Sequence, residues 1–352
     1  MSDAYAAAGV DTDQSDRAVS ALVDVLRGID LGRPSRSVVR SGHYASVLKI
    51  SDETAIAMSS DGVGSKLVLA EQANRLETVG IDCIAMNVND IICVGAEPLA
   101  MLDYIAVEQA DATALARIGE GLKVGAEQAG IEIPGGEVAV LPELIRGHPS
   151  PHGFDLCGTA IGTVDPRAMI LGEKIEVGDA LIGLPSSGAH SNGYTLARRV
   201  LVEDGPGLEA TPELLGGATV ADALLAPTTI YVKAVLDLIS NGPAVHGLAH
   251  ITGGGLTNLR RLAPGRVGYE ISAPLAVPPV LQLIGELGNV PAAEMWEVFN
   301  MGCGFVVVVP EAAADDAVSI LAAHHPGAAR VGSVTADADR TVGPGGIVVG
   351  AE

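Results

Sequence analysis

The amino-acid sequence predicts a mixed α/β protein, with an α+β arrangement of its elements, built from two domains. The chain has 352 residues, a length that favours two domains, each large enough to bury its own core. Stretches with helical periodicity alternate with short apolar runs of strand length, and their order mixes hairpin-like with crossover connections. The turn at Asp165-Pro166 separates the halves. We therefore predict an N-terminal domain over residues 1–165 and a C-terminal domain, a mixed sheet packed with helices, over residues 166–352.

In the first half, helices are predicted over residues 16–29 and 111–129, the second opened by Asp111. The first of these has one apolar stripe, formed by Ala18, Leu22, Val25 and Leu26. Between Ser46 and Ser59 two short strands flank a polar turn. A β-rich stretch follows Gly135-Gly136, and residues 154–164 are typical of a strand with a glycine bulge.

The second half continues with a strand over residues 180–185 and helices over residues 193–203 and 221–240. Residues 246–262 predict a strand, a triple-glycine loop and a helix. A glycine turn then precedes residues 305–310, whose unbroken apolar run is typical of a strand buried on both faces. The sequence shows no repeat of fixed period.

Net charge excludes some classes of partner. The formal charge is −22, so general attraction to nucleic acid or to an anionic membrane is not expected. An anionic ligand would have to be bound by local groups, such as helix N-termini, glycine-loop amides, a few basic side chains or a metal ion. No apolar run is long enough to cross a membrane, and Met1–Val10 lack the pattern of a signal peptide. The four cysteines suggest buried thiols rather than disulfides, so we expect a cytoplasmic protein.

The first chemical motif is a glycine-rich loop that ends in a lysine. It comprises Asp61, Gly62, Val63, Gly64, Ser65 and Lys66. Alternating glycines let main-chain amides approach phosphate oxygens, Lys66 offers a positive charge to the reacting phosphate, and Asp61 could hold a metal ion. The loop matches neither the Walker nor the dinucleotide-binding pattern. An ordinary hairpin turn with a charged tip is the alternative.

Two further segments supply carboxylates. In the first, Asn89 and Asp90 interrupt an apolar helix that also carries Asp82. In the second, Glu137 directly follows Gly135-Gly136. A carboxylate on an apolar helix is unfavourable unless something pairs with it. Mg²⁺ takes a few carboxylate oxygens together with substrate phosphates, so Asp61, Asp90 and Glu137 are the predicted Mg²⁺ ligands. The alternative is a buried aspartate that caps a neighbouring loop.

Two loops of the second half are the predicted substrate site. The first, between a strand and a helix, is rich in hydroxyl groups and glycine, and the second opens the next predicted helix. The residues assigned to substrate binding are Ser186, Ser187, Gly188, His190, Ser191, Asn192, Thr252, Gly253 and Gly254. Amides at a helix N-terminus suit an anion, and an imidazole titrates near neutrality. His190 is thus a candidate catalytic group beside Lys66, with an N-cap cluster and an incidental histidine as the alternative.

Other chemistries have weaker support. The pair His148 and His152 lies in a loop with two prolines, and His246 and His250 lie near a predicted strand. Neither spacing indicates a zinc site. No nucleophile elbow and no Cys/His pair indicates covalent catalysis.

Taken together and in order, these segments resemble the aminoimidazole ribonucleotide synthetases, also called phosphoribosylformylglycinamidine cyclo-ligases. The matching segments cover nearly the whole chain. They are residues 5–11, 61–67, 80–90, 95–98, 102–104, 135–137, 183–194, 249–256 and 299–302. Selenophosphate synthetase, the hydrogenase maturation dehydratase, thiamine-phosphate kinase and formylglycinamide ribonucleotide amidotransferase are similar over the first half. A reactive cysteine in the N-terminal region would favour selenophosphate synthetase, and a terminal cysteine would favour the hydrogenase maturation dehydratase. A much longer chain would favour the amidotransferase.

The sequence departs from the family pattern at three places. Ser65 stands where the family usually has threonine, Val138 and Val140 follow the Gly-Gly-Glu segment where a second carboxylate is common, and residues 41–44 match loosely. The resemblance implies a homodimer whose N-terminal halves share a β-barrel, with ATP bound near the interface. It also implies ATP-dependent closure of an imidazole ring on formylglycinamidine ribonucleotide, in purine biosynthesis. The alternatives are another ATP-using enzyme of the superfamily, such as a small-molecule kinase, or a non-catalytic nucleotide-binding protein.

Overall fold

The computed structural model describes residues 12–39 and 42–350. They form two β-sheets, each covered by helices, which confirms the mixed α+β class. Residues 5–11 and Ser41, which contribute to the family resemblance, lie outside the described residues. Among the helices of the described ranges, none is both long enough and apolar enough to cross a lipid bilayer.

Within its described residues, the first half contains four helices and a five-stranded sheet. The helices are α1 Thr12–Arg27, α2 Lys66–Gln72, α3 Glu77–Ile92 and α4 Ala112–Ala129. The strands are β1 Ser46–Lys49, β2 Ala55–Gly62, β3 Glu97–Val107, β4 Glu132–Val140 and β5 Phe154–Val164. In the sheet order β1-β2-β5-β3-β4, all neighbours are antiparallel except β3 and β4. The predicted hairpin and the helix opened by Asp111 are both confirmed.

One face of this sheet packs on helix α3. Alternate residues of β5, beginning with Phe154, are buried, while those between them are exposed or partly exposed, as expected for a strand with one covered face. Helix α3 is buried over most of its length because α4 covers its other side. The two helices approach closely at Gly80 and Gly121, where a β-carbon would meet the backbone of the other helix.

The opposite face of the sheet exposes apolar side chains. Leu102, Tyr104 and Ile161 are 52%, 38% and 41% exposed. Helix α1 likewise exposes Leu22 and Val25 of its apolar stripe. No other segment of the described residues in one chain covers these side chains.

The second half is a seven-stranded sheet with six further helices. The strands are β6 Ala180–Pro185, β7 Gly247–His250, β8 Gly268–Ile271, β9 Cys303–Val309, β10 Ala329–Thr335, β11 Thr341–Val342 and β12 Val348–Val349. The helices are α5 Tyr194–Arg198 (continued by a π-helical turn, Arg199–Glu203), α6 Val220–Leu224, α7 Val232–Asn241, α8 Pro279–Leu287, α9 Ala292–Val298 and α10 Ala314–His324. A 3₁₀ helix spans Gly255–Arg261. In the order β12-β11-β8-β10-β6-β9-β7, every residue of β9 is buried, as predicted.

Two sequence predictions are wrong in detail. The predicted helix over residues 221–240 is two helices, α6 and α7, because Pro227 cannot donate a helical hydrogen bond and disfavours helical geometry at Ala226. The bulge expected in β5 lies instead on its partner β3, between Pro98 and Ala100.

Candidate active site

Polar groups from the two halves meet where helix α3 faces the loops of the second half. Three segments converge there, over residues 186–193, 225–231 and 250–255. They face the end of β2 and the start of α2. The predicted nucleotide loop and the predicted substrate loop therefore meet between the two halves, although they are far apart in the sequence.

The loop after β2 keeps only part of its predicted anion-binding surface. The amide of Gly62 donates to Asp61 Oδ1 at 2.8 Å, and the amide of Val63 donates to the Leu156 carbonyl oxygen at 3.0 Å. Gly64 is exposed with a left-handed φ of 74°, and the Ser65 side chain does not cap helix α2. Gly64 and Ser65 are thus the parts of the loop that are open to a ligand.

Asp61 and Asp90 form an acidic pair beside this loop. Burial raises the pKa of Asp61, and the negative charge of Asp90 raises it further. Asp90 Oδ1 lies 2.9 Å from Nδ1 of the buried His250, and Ser59 Oγ lies 3.5 Å from Asp90 Oδ2. Two partly buried carboxylates that repel each other would be stabilised by a divalent cation.

Lys66 does not face the nucleotide side. Its ammonium group is fully buried and lies 2.9–3.0 Å from both carboxylate oxygens of Asp82. The ammonium also donates to the carbonyl oxygens of His190 and Ala226, at 2.9 and 2.8 Å. All three of its protons are engaged, so this placement does not support the predicted contact with a phosphate or a direct catalytic role.

Asn89 is likewise turned toward the second half. Its Oδ1 accepts from the amide of Tyr231 at 3.0 Å, and its Nδ2 donates to the Thr229 carbonyl oxygen at 2.9 Å. Asn89 therefore ties helix α3 to the segment between α6 and α7. These bonds occupy the groups that we predicted would bind ATP.

Gly135, Gly136 and Glu137 lie on the edge strand β4, away from the acidic pair. Glu137 is paired in register with Tyr104, so it lies on the uncovered face of the sheet, whereas Asp61 lies on the helix-covered face. Among the described residues, no group of three His, Cys, Asp or Glu side chains could hold a metal ion. The structure thus brings Asp61 and Asp90 together but does not bring Glu137 to them within one chain.

The loop over residues 186–193 is held by hydrogen bonds to neighbouring segments of the second half. Asn300 Nδ2 donates to the Gly188 carbonyl oxygen at 2.8 Å, and Ser186 Oγ donates to Asn300 Oδ1 at 2.7 Å. Ser187 Oγ donates to the carbonyl oxygen of Pro227, and Ser191 Oγ lies 3.1 Å from the hydroxyl of Thr228. The hydroxyl groups therefore shape the loop, and most of its residues are buried, with Ser187 exposed and Ser186 and Asn192 partly exposed.

His190, within this loop, has a left-handed backbone with a φ of 60°, and its side chain is buried. Burial lowers the pKa of His190 well below its usual value, with a smaller effect of His250. The amide of Ser187 donates to His190 Nε2 at 3.3 Å, and the buried Nδ1 has no hydrogen-bond partner. The imidazole is therefore neutral near pH 7, and the bond to Nε2 assigns the proton to Nδ1.

The second predicted substrate loop faces the first. A β-carbon on Gly253 would lie 3.0 Å from Asn192 Oδ1, and the buried Asn192 Nδ2 has no partner. The amide of Thr252 donates to Asn258 Oδ1 at 2.8 Å, and Asn258 Nδ2 donates to the Gly253 carbonyl oxygen at 3.3 Å. Gly254 begins the 3₁₀ helix with a left-handed φ of 101°. The structure thus brings both loops together as one surface.

Sequence reasoning missed two basic groups at this site. Arg261 lies over the ring of Tyr44, 5.0 Å from its centroid, and has no carboxylate partner among the described residues. Burial lowers the pKa of His43 to about 4, the charge of Arg261 adds to this, and Asp90 opposes it. The position of Arg261 at the end of the helix after a glycine loop was the available signal.

The remaining candidates belong elsewhere. His246 Nδ1 lies 2.7 Å from Asp179, so His246 and His250 contact different aspartates. Cys83, Cys93 and Cys303 are buried, whereas Cys157 is partly exposed.

Comparison with known proteins decides the family. Two family models match, described as the N-terminal and the C-terminal domain of AIR synthase related protein, over residues 42–164 and 176–343. A phosphoribosylformylglycinamidine cyclo-ligase of Thermococcus kodakarensis is 48% identical over 326 residues, which are 91% of this chain and 92% of that protein. The relative of the same name from Methanobrevibacter smithii is 48% identical over 90% of each chain. The chain belongs to the phosphoribosylformylglycinamidine cyclo-ligase family.

Solved structures extend the relationship at the level of the fold. A ThiL protein complexed with AMPPCP and TMP is similar to this cyclo-ligase family member with a TM-score of 0.63 and 17% identity, over 92% of each chain. The hydrogenase maturation protein HypE, in complex with ATP, matches with a TM-score of 0.60 and 21% identity, over 86% of each chain. At such identities the likeness shows a shared fold.

Proposed function

We propose that this protein converts formylglycinamidine ribonucleotide to aminoimidazole ribonucleotide by ATP-dependent ring closure, in purine biosynthesis. The observation that carries the proposal is the 48% identity to proteins named for this reaction, over nine tenths of the chain. The interdomain site supports it, because an acidic pair and an open glycine loop face two loops suited to an anionic substrate.

The chemistry needs a good leaving group. ATP transfers its γ-phosphoryl group to the formyl oxygen of the substrate, and ADP leaves. The neighbouring amidine nitrogen then attacks the formyl carbon, the carbon–oxygen bond breaks, phosphate departs and a proton is lost as the ring closes. In such a reaction the protein acts mainly by positioning the groups and stabilising charge.

The residues fit these tasks as follows. Asp61 and Asp90 would hold Mg²⁺, which when bound neutralises phosphate charge, and the amides of Gly64 and Ser65 would contact the phosphates. The loops over residues 186–193 and 252–254 would bind the ribose phosphate part of the substrate. The Nδ1–H of neutral His190, a buried donor without a partner, would donate to the substrate oxygen, because an unsatisfied buried donor is costly. Arg261 is a further cation available to an anionic ligand.

We further propose a homodimer in the cytoplasm. The exposed apolar side chains Leu102, Tyr104 and Ile161 form one surface on the uncovered face of the first sheet. Contiguous exposed apolar surface of this kind is characteristic of protein interfaces. A partner sheet laid against it would complete the barrel implied by the family.

An ADP-release assay, run with and without formylglycinamidine ribonucleotide, tests the reaction. We expect ADP only when ATP, Mg²⁺ and this ribonucleotide are all present. ADP release with another phosphoryl acceptor in place of this ribonucleotide would instead indicate a kinase of the same superfamily, and equal release with no acceptor would indicate uncoupled hydrolysis of ATP.

The variant Asp90→Asn tests the metal assignment. We expect loss of Mg²⁺-dependent ATP turnover with an unchanged circular dichroism spectrum, because one of two cation-binding carboxylates is removed. Asp315→Asn, at an exposed position of α10 in the second half, is the matched control and should behave as the unaltered protein. An unchanged Mg²⁺ titration in Asp90→Asn would rule the assignment out.

A further inference from the structure

The two halves are joined by a buried ion pair that is central to a larger polar network. Lys66 and Asp82 come from the first half and are both fully buried. The remaining bonds of the pair all go to the second half. Lys66 donates to the carbonyl oxygens of His190 and Ala226, and Asp82 Oδ1 accepts from the amide and the hydroxyl of Thr228 at 2.7 and 2.6 Å.

The network ends on His190, in the substrate loop. His190 has a left-handed backbone, which costs a non-glycine residue about 1 kcal/mol or more. Its carbonyl oxygen accepts from Lys66 Nζ. The hydroxyl of Tyr194 lies 3.0 Å from the same oxygen but is nearer to the carbonyl oxygen of Leu224, which takes its one proton. Lys66 Nζ also lies 5.6 Å from the centroid of the Tyr194 ring. Lys66 is therefore the group that fixes this carbonyl of the substrate loop.

Lys66 has a second connection, through the chain itself. It is the first residue of helix α2, directly after the loop Asp61–Ser65 that carries the nucleotide-side groups. A change in that loop therefore displaces Lys66, and with it the carbonyl of His190. The nucleotide side and the substrate loop are thus linked by one side chain, 124 residues apart in the sequence.

We propose that Lys66 and Asp82 are a positioning pair, which holds the substrate loop in register with the nucleotide loop. The expected effect of this pair on kcat/KM rests on the proposed function. Its expected effect on the order of the substrate loop does not. Lys66 touches no reacting atom in this role. It differs from the phosphate-binding role that the glycine-rich sequence around it suggests.

A double variant makes the proposal testable without leaving a buried charge. Removing one partner of a buried ion pair exposes the other to an apolar surrounding and destabilises the protein strongly. Lys66→Met with Asp82→Asn removes both charges at similar volume, and the amide oxygen of the new side chain can still accept from Thr228. The control is Arg75→Gln, which breaks an exposed ion pair between the same halves, 2.5 Å from Arg75 to Asp222.

In the double variant we expect kcat/KM for formylglycinamidine ribonucleotide to fall by about 10²-fold, the scale of a misplaced reacting group. The KM for ATP should be unchanged. Hydrogen exchange of the amides over residues 187–194 should accelerate, while the amides of β9 keep their protection. Arg75→Gln should match the unaltered protein in all three measurements.

Two outcomes would overturn the positioning role. One is unaltered kinetics and unaltered exchange in the double variant. The other is weakened ATP binding with normal protection over residues 187–194, which would place Lys66 on the nucleotide. If the unaltered protein does not close the ring, the proposed function fails, and the exchange comparison still decides the role of the pair.

Discussion

His190 and Lys66 show how burial sets the chemistry of a single side chain. Both are titratable groups in glycine-rich segments, and the sequence suggests charged or titrating roles for both. In the structure His190 is buried and its pKa is lowered, while Lys66 is buried but keeps an aspartate as partner. A charged group survives burial when it is paired, whereas an unpaired one becomes neutral.

Replacement of His190 should identify its catalytic contribution. We expect His190→Ala to lower kcat by about 10²–10⁴-fold, the range for a lost acid–base or hydrogen-bonding group, while the KM for ATP stays the same. Steady-state kinetics with each substrate varied would measure both. His190→Asn is the matched control for the backbone, since asparagine tolerates a left-handed φ. A normal kcat in His190→Asn would show that the ring has only a structural role.

The same residue should make the stability of the protein depend on pH. The folded pKa of His190 lies well below the ordinary value of 6.5, so below pH 6.5 the unfolded chain binds a proton that the folded chain does not. This contribution to stability is complete above pH 6.5 and is lost as the pH falls, by up to about 1.4 kcal/mol per pH unit. Urea unfolding at pH 8 and pH 5 should show a smaller difference in His190→Asn than in the unaltered protein. Equal differences would mean that His190 is protonated in the folded state.

At this scale the sequence predicted the site segments better than the direction of each side chain. Asp61 and Asp90 come together as expected, because unpaired carboxylates in glycine-rich or apolar segments are unfavourable and one cation can stabilise both. Lys66, Asn89 and Glu137 do not behave as predicted. Their orientation depends on how the two halves pack and on which face of β4 a residue occupies, and neither is encoded in local spacing.

Among the elements, helices α3 and α4 make a close contact that a single methyl group can test. A β-carbon on Gly121 would lie 1.8 Å from the carbonyl oxygen of Glu77, whereas one on Gly119 of the same helix meets nothing within 4 Å. Gly121→Ala should destabilise the protein by about 1–3 kcal/mol, because the helices must move apart. Gly119→Ala should be neutral or stabilising by up to about 1 kcal/mol. Chemical denaturation of both variants checks this, and equal effects would contradict the close approach.

The elements that the sequence predicted well are those with local causes. The β1–β2 hairpin follows from a polar turn between two apolar runs, and α4 follows from its cap at Asp111. The parallel pairing of β3 with β4 and the bulge in β3 depend on neighbours that are distant in the sequence. Pro227 did carry a local signal for the break between α6 and α7, and the periodicity of the flanking apolar residues obscured it.

For the whole molecule, the uncovered sheet face makes a prediction about assembly. Leu102 is 52% exposed in one chain, and in the proposed dimer it would be buried against the partner sheet. Leu102→Glu should therefore dissociate the dimer, because an unpaired carboxylate in an apolar interface is unfavourable. Sedimentation velocity at micromolar concentration measures this. The control is Leu287→Glu, 54% exposed on α8 of the second half, and a monomeric unaltered protein would defeat the proposal.

The ion pair of Lys66 and Asp82 also has a consequence for biosynthesis. Asp82 and Thr228 are separated by 146 residues, and a ribosome adds about 5–20 residues per second. For on the order of ten seconds the nascent first half therefore carries a lysine and an aspartate whose remaining partners have not been made. During that interval both charged side chains are hydrated, in a chain of which 48% of the residues are hydrophobic, and they lose that water only when the second half folds against them.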